Sequence, residues 1–256
     1  MAKICIDPGH CKKQNRSPGI PEYYESECVW KLSQMLKAHL EELGHAVIMT
    51  RTDPNKDLAL VSRGKASAGC DLFLSMHTNA VAGGMNETVN YASIIRMTDD
   101  TTVTCDEVAK EFAAKIGPII AHVMGITYKI STRQAQSDRN GDGIKNDNYY
   151  GVLHGARLVK TPGLILEHGF HTNTKTVRWL MIDENLELLA KAEAECIDQF
   201  FKKEEPAWQQ FYFVQPGDTL SSIARKYGTT WKKLMTINPQ IADPGKIYPG
   251  QKIRVK

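Results

Sequence analysis

Three short apolar runs in this chain each lead into a polar, turn-forming segment, and this pattern limits the fold more than any other feature. The runs are Ile4–Ile6, Leu72–Leu74 and Leu164–Leu166. Apolar runs of this length are typical of strands buried on both faces of a parallel sheet, and open α/β sheets place their chemistry at the carboxyl ends of such strands. The pattern therefore predicts an α/β domain with a functional site at one edge of its sheet.

Helix signals alternate with the strand signals. Over residues 25–43, for example, apolar residues recur at helical spacing until Gly44 supplies a stop. The sequence predicts strands at 4–7, 46–50, 71–76 and 163–167, and helices at 25–43, 58–68, 105–123, 149–159 and 184–202. Alternation of this kind predicts an α/β fold with a mostly parallel sheet flanked by helices on both faces.

The polar residues after the strands are candidate metal ligands. His10 follows the first strand and His77 follows the third, while Glu167 ends the strand at 163–167. A hydrolytic zinc site commonly has three protein ligands and one open position for water, and His10 and His77 are the best two candidates. Spacing alone does not choose the third among the glutamates near the first long helix, which are Glu22, Glu25 and Glu27. Each of these is otherwise an ordinary acid stabilised at a helix N-terminus.

Six cysteines are spread along the chain without a CxxC pair. Most lie in apolar surroundings, which favours buried, reduced thiols. Cys11 directly follows His10, so metal ligation by Cys11 is an alternative interpretation. Hydrolytic zinc sites more often combine histidine with carboxylate, which favours a glutamate as the third ligand.

Composition and charge exclude several functional classes. The chain has 256 residues and a formal charge of +3, which is too small to argue for nucleic-acid binding. No stretch approaches the roughly 20 apolar residues of a membrane span. The first residues, Met1-Ala2-Lys3, enter a strand without the charged leader and apolar core of an export signal, so we expect no signal peptide.

Composition changes after the last predicted helix. The charged run at 202–206 ends in a proline and indicates a linker. Residues 211–256 contain eight lysines and arginines against two aspartates, which gives a net charge of about +6. A basic tail suits an anionic polymer such as a cell wall or nucleic acid, although ordinary solvated surface charge explains it equally well.

Four segments together resemble the zinc-dependent N-acetylmuramoyl-L-alanine amidases of the type 3 family, in order over nearly all of residues 2–200. They are KICIDPGH, YYESECVWKLSQMLKAHLEELGHAVIMTR, LVSRGKASAGCDLFLSMHTNA and PGLILEHGFHTN. The resemblance implies Zn²⁺ held by His10, Glu25 and His77, with Glu27 as the fallback for the glutamate. It also implies that Glu167 is the catalytic residue, a carboxylate that accepts a proton from water and passes it to the leaving amine.

Two features depart from the family pattern. The family commonly has a second glycine after DPGH, whereas Cys11-Lys12-Lys13 follow here. His168 and His171 flank the catalytic glutamate in sequence. They are candidate substrate contacts or transition-state donors, but satisfied polar histidines at the edge of a cleft are the more ordinary interpretation.

Residues 138–143 have the D-x-N-x-D-G pattern that begins a calcium loop. The twelfth position is Tyr149 rather than glutamate, so the bidentate ligand is missing. We interpret the segment as a polar loop near a substrate groove, in which Arg139 is a candidate contact for an acidic peptide, and keep calcium binding as the alternative.

Residues 211–256 resemble a LysM domain over their full length, through VQPGDTLSSIA, the NP dipeptide and IYPGQ. That family folds as a small α+β (βααβ) module and binds glycans that contain N-acetylglucosamine. The resemblance implies a glycan groove between two loops, formed by Gly217, Asp218, Thr219, Leu220, Asn238, Pro239 and Ile241. Leu220 is also suited to the core of such a small module.

Both resemblances together imply a peptidoglycan hydrolase, either a phage endolysin or a bacterial autolysin. We expect a catalytic domain at 2–203, a linker at 204–210 and a LysM domain at 211–256. The expected reaction cuts the amide between N-acetylmuramic acid and L-alanine in bacterial peptidoglycan, with no nucleic-acid partner. The alternatives are a zinc peptidase acting within the stem peptide and a non-catalytic wall-binding protein.

Without a signal peptide, we expect synthesis in the cytoplasm and release by holin-type lesions or cell lysis. The sequence leaves the oligomeric state open.

Overall fold

The chain forms two compact units, Met1–Phe201 and Lys202–Lys256. The computed structural model describes residues 1–98, 103–139, 147–202 and 211–255. The linker predicted at 204–210 lies outside these ranges. Within them, no helix is long and apolar enough to cross a membrane.

The N-terminal unit contains six strands and six helices among its described residues. The strands are β1 (Lys3–Pro8), β2 (Ala46–Met49), β3 (Leu72–Asn79), β4 (Tyr91–Arg96), β5 (Thr127–Ser131) and β6 (Gly163–Phe170). The helices are α1 (Glu25–Glu42), α2 (Leu60–Lys65), α3 (Val103–Met124), α4 (Gly151–Leu158), α5 (Thr174–Leu180) and α6 (Asp183–Phe201).

The six strands form one sheet in the order β2-β1-β3-β6-β4-β5. All neighbouring strands are parallel except β4 and β6, which are antiparallel. The mostly parallel sheet predicted from the sequence is therefore confirmed. Because β1, β3 and β6 are adjacent at its centre, the polar residues at their carboxyl ends meet at one edge.

The apolar runs of the sequence are the buried core of this sheet. Ile4, Phe73 and Leu166 are fully buried, as are the residues of α1 that recur at helical spacing, such as Leu36. Helix α6 packs against α1 and α3, whereas α2 packs against α4. The helices thus shield the strands, so the backbone polar groups of the sheet pair with one another rather than with water.

The sequence patterns do not predict β4, β5 or α5. Strand β5 is exposed along its whole length, so it lacks the apolar signal of a buried strand. Helix α5 has only seven residues, too few for a helical period to emerge. Strands β3 and β6 each run three residues further than expected. His77 therefore lies within its strand rather than after it, and Glu167 lies within its strand rather than at its end.

Asp7, near the end of β1, is a buried carboxylate that joins several elements. It accepts hydrogen bonds from Arg63 Nε at 2.7 Å and Nη2 at 2.9 Å. Thr50 Oγ1 at 2.6 Å and Ser75 Oγ at 2.7 Å donate to it as well. Arg63 Nη2 also donates to the carbonyl oxygen of Pro8 at 2.9 Å. A buried charge with this many partners avoids most of the cost of desolvation and fixes the backbone that leaves β1.

We expect Arg63→Ala to lower the free energy of unfolding by about 3–5 kcal/mol, because it leaves the Asp7 carboxylate buried without its ionic partner. Lys65→Ala, at an exposed position of the same helix, is the matched control and should change it by less than about 0.5 kcal/mol. Urea unfolding followed by circular dichroism measures both values. Equal effects of the two substitutions would contradict an anchoring role for the Asp7–Arg63 pair.

The C-terminal unit has the βααβ order implied by the sequence. It consists of β7 (Phe211–Phe213), α7 (Leu220–Lys226), α8 (Trp231–Ile237) and β8 (Lys252–Arg254), and β7 pairs with β8 in antiparallel fashion. Thr219 and Ser222 form a capping box at the start of α7. The core of this unit consists of apolar residues from both helices, from β8 and from positions next to the strands. Val214, Leu234 and Ile253 are examples.

Candidate metal centre and active site

Three elements bring His10, Glu25 and His77 together. His10 lies in the loop after β1, Glu25 is the first residue of α1, and His77 lies in β3. One ligand atom from each lies within 4.8 Å of the others, and within the described ranges no other group of histidine, cysteine and acidic residues could share a metal in this way. Glu22 and Glu27 are exposed and outside the group, so the geometry selects Glu25 among the three candidates.

Glu25 is the centre of this group. Its carboxylate is buried, with Oε1 2.9 Å from His77 Nδ1 and Oε2 3.5 Å from His10 Nε2. The backbone nitrogen of Thr78 donates to Oε1 at 2.9 Å. Metal bonds of 2.0–2.1 Å at tetrahedral angles would separate ligand atoms by about 3.4 Å. Two imidazoles and one carboxylate at these separations fit a single divalent ion.

The protonation of two of the three side chains, Glu25 and His10, suits metal binding. Burial on its own would raise the pKa of Glu25, but the hydrogen bond and charge of His77, with the charge of His10, lower it to about 2. Burial lowers the pKa of His10, against the opposing effect of Glu25. For His77, burial would lower the pKa, but the hydrogen bond and charge of Glu25 raise it overall. Metal ligation requires an ionised carboxylate and neutral imidazoles. A second proton on the His77 imidazole therefore competes with the ion.

Close packing of the backbone places His10. A Cβ atom at Gly9 would lie 2.5 Å from His77 Cε1 and 2.6 Å from the carbonyl oxygen of Met76, so only glycine fits there. His10 itself has a φ of 54°, in the left-handed region. Arg51 Nη2 donates to the carbonyl oxygen of His10 at 2.6 Å and holds the loop from the side of β2.

Asn15 belongs to the site but was not singled out by the sequence. Its Nδ2 donates to Glu25 Oε2 at 2.7 Å and lies 2.9 Å from His10 Nε2. The lone pairs of Glu25 Oε2 and His10 Nε2 would face a metal ion. Metal binding therefore requires the Asn15 amide to release both atoms. The only sequence signal is a polar residue in the loop between two ligands, which does not distinguish Asn15 from its neighbours.

Glu167, on the adjacent strand β6, faces the metal group formed by His10, Glu25 and His77. It pairs in register with His77 across the parallel β3–β6 ladder, so both side chains are on the same face of the sheet. Its Oε2 is buried and has no hydrogen-bond partner. Burial raises the pKa of Glu167 to about 7, although the charge of His77 acts in the opposite direction. A carboxyl group with this pKa can both accept and release a proton near neutral pH.

Both histidines that flank the glutamate in sequence are buried and have protein partners. His168 Nδ1 lies 3.0 Å from the carbonyl oxygen of His77, and Nε2 lies 2.7 Å from Glu193 Oε1. His171 Nδ1 lies 3.1 Å from Thr78 Oγ1 and 3.8 Å from Glu25 Oε2. These contacts agree with the interpretation of satisfied polar histidines rather than substrate contacts.

All six cysteines are buried and none is in a disulfide bond, as the sequence favours. Burial raises the pKa of Cys28 to about 12 and that of Cys196 to about 11, so these thiols stay protonated. Cys11 is not a member of the metal group.

Most of the calcium-like segment, residues 140–146, lies outside the described residues. At its edges, the backbone nitrogen of Arg139 donates to Asp147 Oδ2 at 2.6 Å, and Arg139 Nη1 donates to the carbonyl oxygen of Tyr149 at 2.8 Å. Arg139 therefore contacts the residues that follow this segment, and its predicted contact with an acidic peptide stays a prediction.

In the C-terminal unit, the residues implied for a glycan groove divide into exposed and buried sets. Gly217, Thr219 and Pro239 are exposed. Leu220 and Ile241 are buried in the same apolar cluster, which places the two loops against one core. Their side chains are therefore packed inside the unit, and a glycan would meet the backbone around them.

Two polar residues of that groove, Asp218 and Asn238, are held by the unit itself. Asp218 Oδ2 accepts hydrogen bonds from Tyr212 Oη at 2.7 Å and from the backbone nitrogen of Gln215 at 2.8 Å. Asn238 is buried, and its Nδ2 donates to the carbonyl oxygens of Leu234 and Arg254, each at 2.7 Å. Both side chains fix the loops, and their role toward a glycan stays a prediction.

Sequence comparison matches each of the two units to one known family. The profile described as N-acetylmuramoyl-L-alanine amidase matches residues 4–199, and the profile described as LysM domain matches residues 212–256.

Solved structures share the fold of the N-terminal unit. An N-acetylmuramoyl-L-alanine amidase from Clostridium difficile 630 superposes with a TM-score of 0.64 at 19% identity, over 79% of this chain and 98% of that one. The catalytic domain of CwlV, an N-acetylmuramoyl-L-alanine amidase from Bacillus (Paenibacillus) polymyxa var. colistinus, gives 0.62 at 19% identity, over 78% and 98%. At this identity the similarity establishes the fold alone.

Two relatives match over shorter stretches. An endolysin of Bacillus phage B103 is 38% identical over 68 residues, which are 27% of this chain and 26% of that protein. The N-acetylmuramoyl-L-alanine amidase sle1 of Staphylococcus aureus (strain USA300) is 53% identical over 45 residues, which are 18% of this chain and 13% of that protein. This chain thus spans about a quarter or less of either relative.

We expect the intact chain to take up one divalent ion, and Glu25→Gln to lose most of that uptake, because the amide offers a much weaker ligand. Glu27→Gln, two residues further along the same helix, is the matched control and should keep it. With zinc as the probe at about 100 times its dissociation constant, the ion should stabilise the intact chain by about 2.7 kcal/mol. Metal analysis and thermal unfolding measure both effects. Equal metal content in the two variants would show that Glu25 is not a ligand.

Proposed function

This chain belongs to the N-acetylmuramoyl-L-alanine amidase family, and from that premise we propose that it hydrolyses the amide bond between N-acetylmuramic acid and L-alanine in bacterial peptidoglycan. The observation that carries the proposal is the half-buried Glu167, in register with His77, whose buried Oε2 atom has no hydrogen-bond partner. It lies beside three side chains that can hold one metal ion. A metal group and a proton carrier on one face of a sheet are the two parts that metal-assisted amide hydrolysis requires.

The proposed metal is zinc, held by His10, Glu25 and His77. Two neutral imidazoles and one carboxylate are a donor set that zinc hydrolases use, and three protein ligands leave a position open. When bound, zinc lowers the pKa of water towards about 7 and polarises the carbonyl group to be cut. The protein's own contribution is a rigid site: the glycine-dependent contact at Gly9 and the Thr78 hydrogen bond fix the ligands before the ion arrives.

Glu167 is the proposed proton carrier. Its Oε2 has no protein partner, so this atom is free to accept a proton from the attacking water. Because burial brings its pKa to about 7, the same carboxyl group can then release the proton to the nitrogen of L-alanine as the amide bond breaks. The product is a free lactyl carboxylate on the sugar and a free amine on the peptide.

We expect Glu167→Gln to lower kcat by about 10²–10⁴-fold while the protein keeps its metal and its fold, because only proton transfer is removed. Glu27→Gln is again the matched control and should keep full activity. Clearing of a bacterial wall suspension gives the rate, and metal analysis gives the zinc content.

Mass spectrometry of the digested wall separates the alternatives. Free lactyl ends with stems that begin at L-alanine are the expected products. New amines within the stem would indicate a zinc peptidase instead. Clearing by neither the intact chain nor the variant would indicate a non-catalytic wall-binding protein.

We also propose that the C-terminal unit binds N-acetylglucosamine-containing glycan and holds the catalytic unit at the wall. The support is its match to the LysM family, its net positive charge and the exposed loop residues Gly217, Thr219 and Pro239. Tethering raises the effective concentration of substrate without any new contact in the active site.

We expect a chain that ends at Phe201 to bind purified walls at least about 10²-fold more weakly than the full chain, because the tethering contribution is lost. Its kcat/KM on a small soluble muramoyl peptide should stay unchanged, since the catalytic unit is compact by itself. Wall pull-down and soluble-substrate kinetics measure the two quantities. Equal wall binding by both chains would rule out the C-terminal unit as the anchor.

We also propose that the protein is made in the cytoplasm and released by holin-type lesions or cell lysis. The support for synthesis in the cytoplasm is that the six cysteines are buried and outside any disulfide bond, which is typical of proteins that mature in a reducing compartment.

A further inference from the structure

Strand β6 contains one extra residue where it passes the metal ligand of β3. His77 pairs with Glu167 and Asn79 pairs with Phe170, so two steps along β3 lie opposite three steps along β6. Gly169, within this interval, has a φ of 73°, a conformation typical of glycine at a bulge. The bulge therefore interrupts the ladder directly beside a metal ligand and the proton carrier.

His168 bridges this interruption. Its Nδ1 lies 3.0 Å from the carbonyl oxygen of His77, and its Nε2 lies 2.7 Å from Glu193 Oε1 on α6. The side chains of His168 and Glu193 are both fully buried. A carbonyl oxygen can only accept, so Nδ1 carries a hydrogen and donates it to His77. One further proton is shared between Nε2 and the carboxylate, and the pair has no net charge whichever atom holds it.

This arrangement is poorly explained by stability alone. A buried pair of ionisable groups is a weak source of stability, because the cost of desolvation offsets the attraction between the partners. The contact with His77 is specific, since it fixes the backbone of a residue whose ring lies 2.9 Å from Glu25. The same imidazole follows Glu167 directly in the chain, so it also restrains the bulge that carries the carboxylate.

We propose that His168 and Glu193 are positioning residues, in which Glu193 orients the imidazole and the imidazole fixes His77 and Glu167 relative to one another. This inference rests on the proposed function, because it assigns these two residues to the geometry of that same site. Neither side chain touches the ion or the substrate.

Helix α6 supplies a matched control pair. His45 Nε2 lies 3.3 Å from Asp198 Oδ1, and His45 Nδ1 accepts from the backbone nitrogen of Ala2 at 3.2 Å. This pair is also buried against α6. It lies where β1 and β2 begin, however, and the proposed site lies where the strands end. Changes to it should affect stability but not the site.

The experiment compares two double variants of the full chain, His168→Asn/Glu193→Gln and His168→Gln/Glu193→Gln. Both remove the ionisable pair and leave no buried charge. Asparagine places an amide donor near the position of Nδ1, within reach of His77. Glutamine places its amide near the position of Nε2 and loses that donor.

We expect the glutamine variant to lose about 10–100-fold in zinc affinity and in kcat, with KM little changed, because both depend on the placement of His77 and Glu167. The asparagine variant should recover most of both. His45→Gln/Asp198→Asn should lower the unfolding temperature and leave zinc affinity and kcat unchanged. Chelator competition, steady-state kinetics and thermal unfolding measure the three quantities.

Equal zinc affinity and equal kcat in the two His168 variants would overturn the positioning role, and so would equal losses in the control pair. A wild-type chain that binds zinc but releases no lactyl ends would contradict the proposed reaction alone. In that case, the difference in zinc affinity between the two variants still decides whether His168 positions the site.

Discussion

The buried carboxylate of Asp7 is the interaction on which the rest of the site depends. Its partners come from α2, from the end of β2 and from β3, so one side chain joins four elements at the edge where the strands end. Because Arg63 also holds the carbonyl oxygen of Pro8, the chain leaves β1 in one direction only. The close contact of Gly9 with His77, and hence the position of His10, follows from that direction.

The carboxylates of Asp7, Glu25 and Glu167, near this edge of the sheet, have different surroundings, and their roles differ accordingly. Asp7 has hydrogen-bond donors on both oxygens and is structural. Glu25 is stabilised as a carboxylate by two histidines, which suits a ligand. Glu167 has an oxygen without a partner and a pKa near 7, which suits proton transfer. The residue type alone does not distinguish these roles; the number of partners supplied by the fold does.

Because partners supplied by the fold decide the role of each residue, the sequence could predict only part of the site. His10, His77 and Glu167 follow apolar strand runs, so local pattern alone indicates them as candidates. Glu25 could not be separated from Glu27 by spacing, because which acid at a helix start is buried depends on how α1 meets β3. The family resemblance supplied that choice, and the geometry agrees with it.

Asn15 and the Asp7–Arg63 pair have no local signal, since their partners are set by the arrangement of the strands. Strand β4 is absent from the sequence prediction, and a local apolar pattern would not give its antiparallel direction in any case.

The bulge in β6 shows why a strand-end signal can be correct and still incomplete. Successive side chains of a strand point to opposite faces, so Glu167 faces the metal group while His168 faces α6. The apolar pattern that identifies the strand therefore identifies both residues but assigns a role only to the first. The role of the second depends on an extra residue in the ladder and on Glu193, which lies on the next long helix of the chain. The catalytic edge of the sheet is thus connected to α6 through one imidazole, and the packing of that helix is part of the geometry of the site.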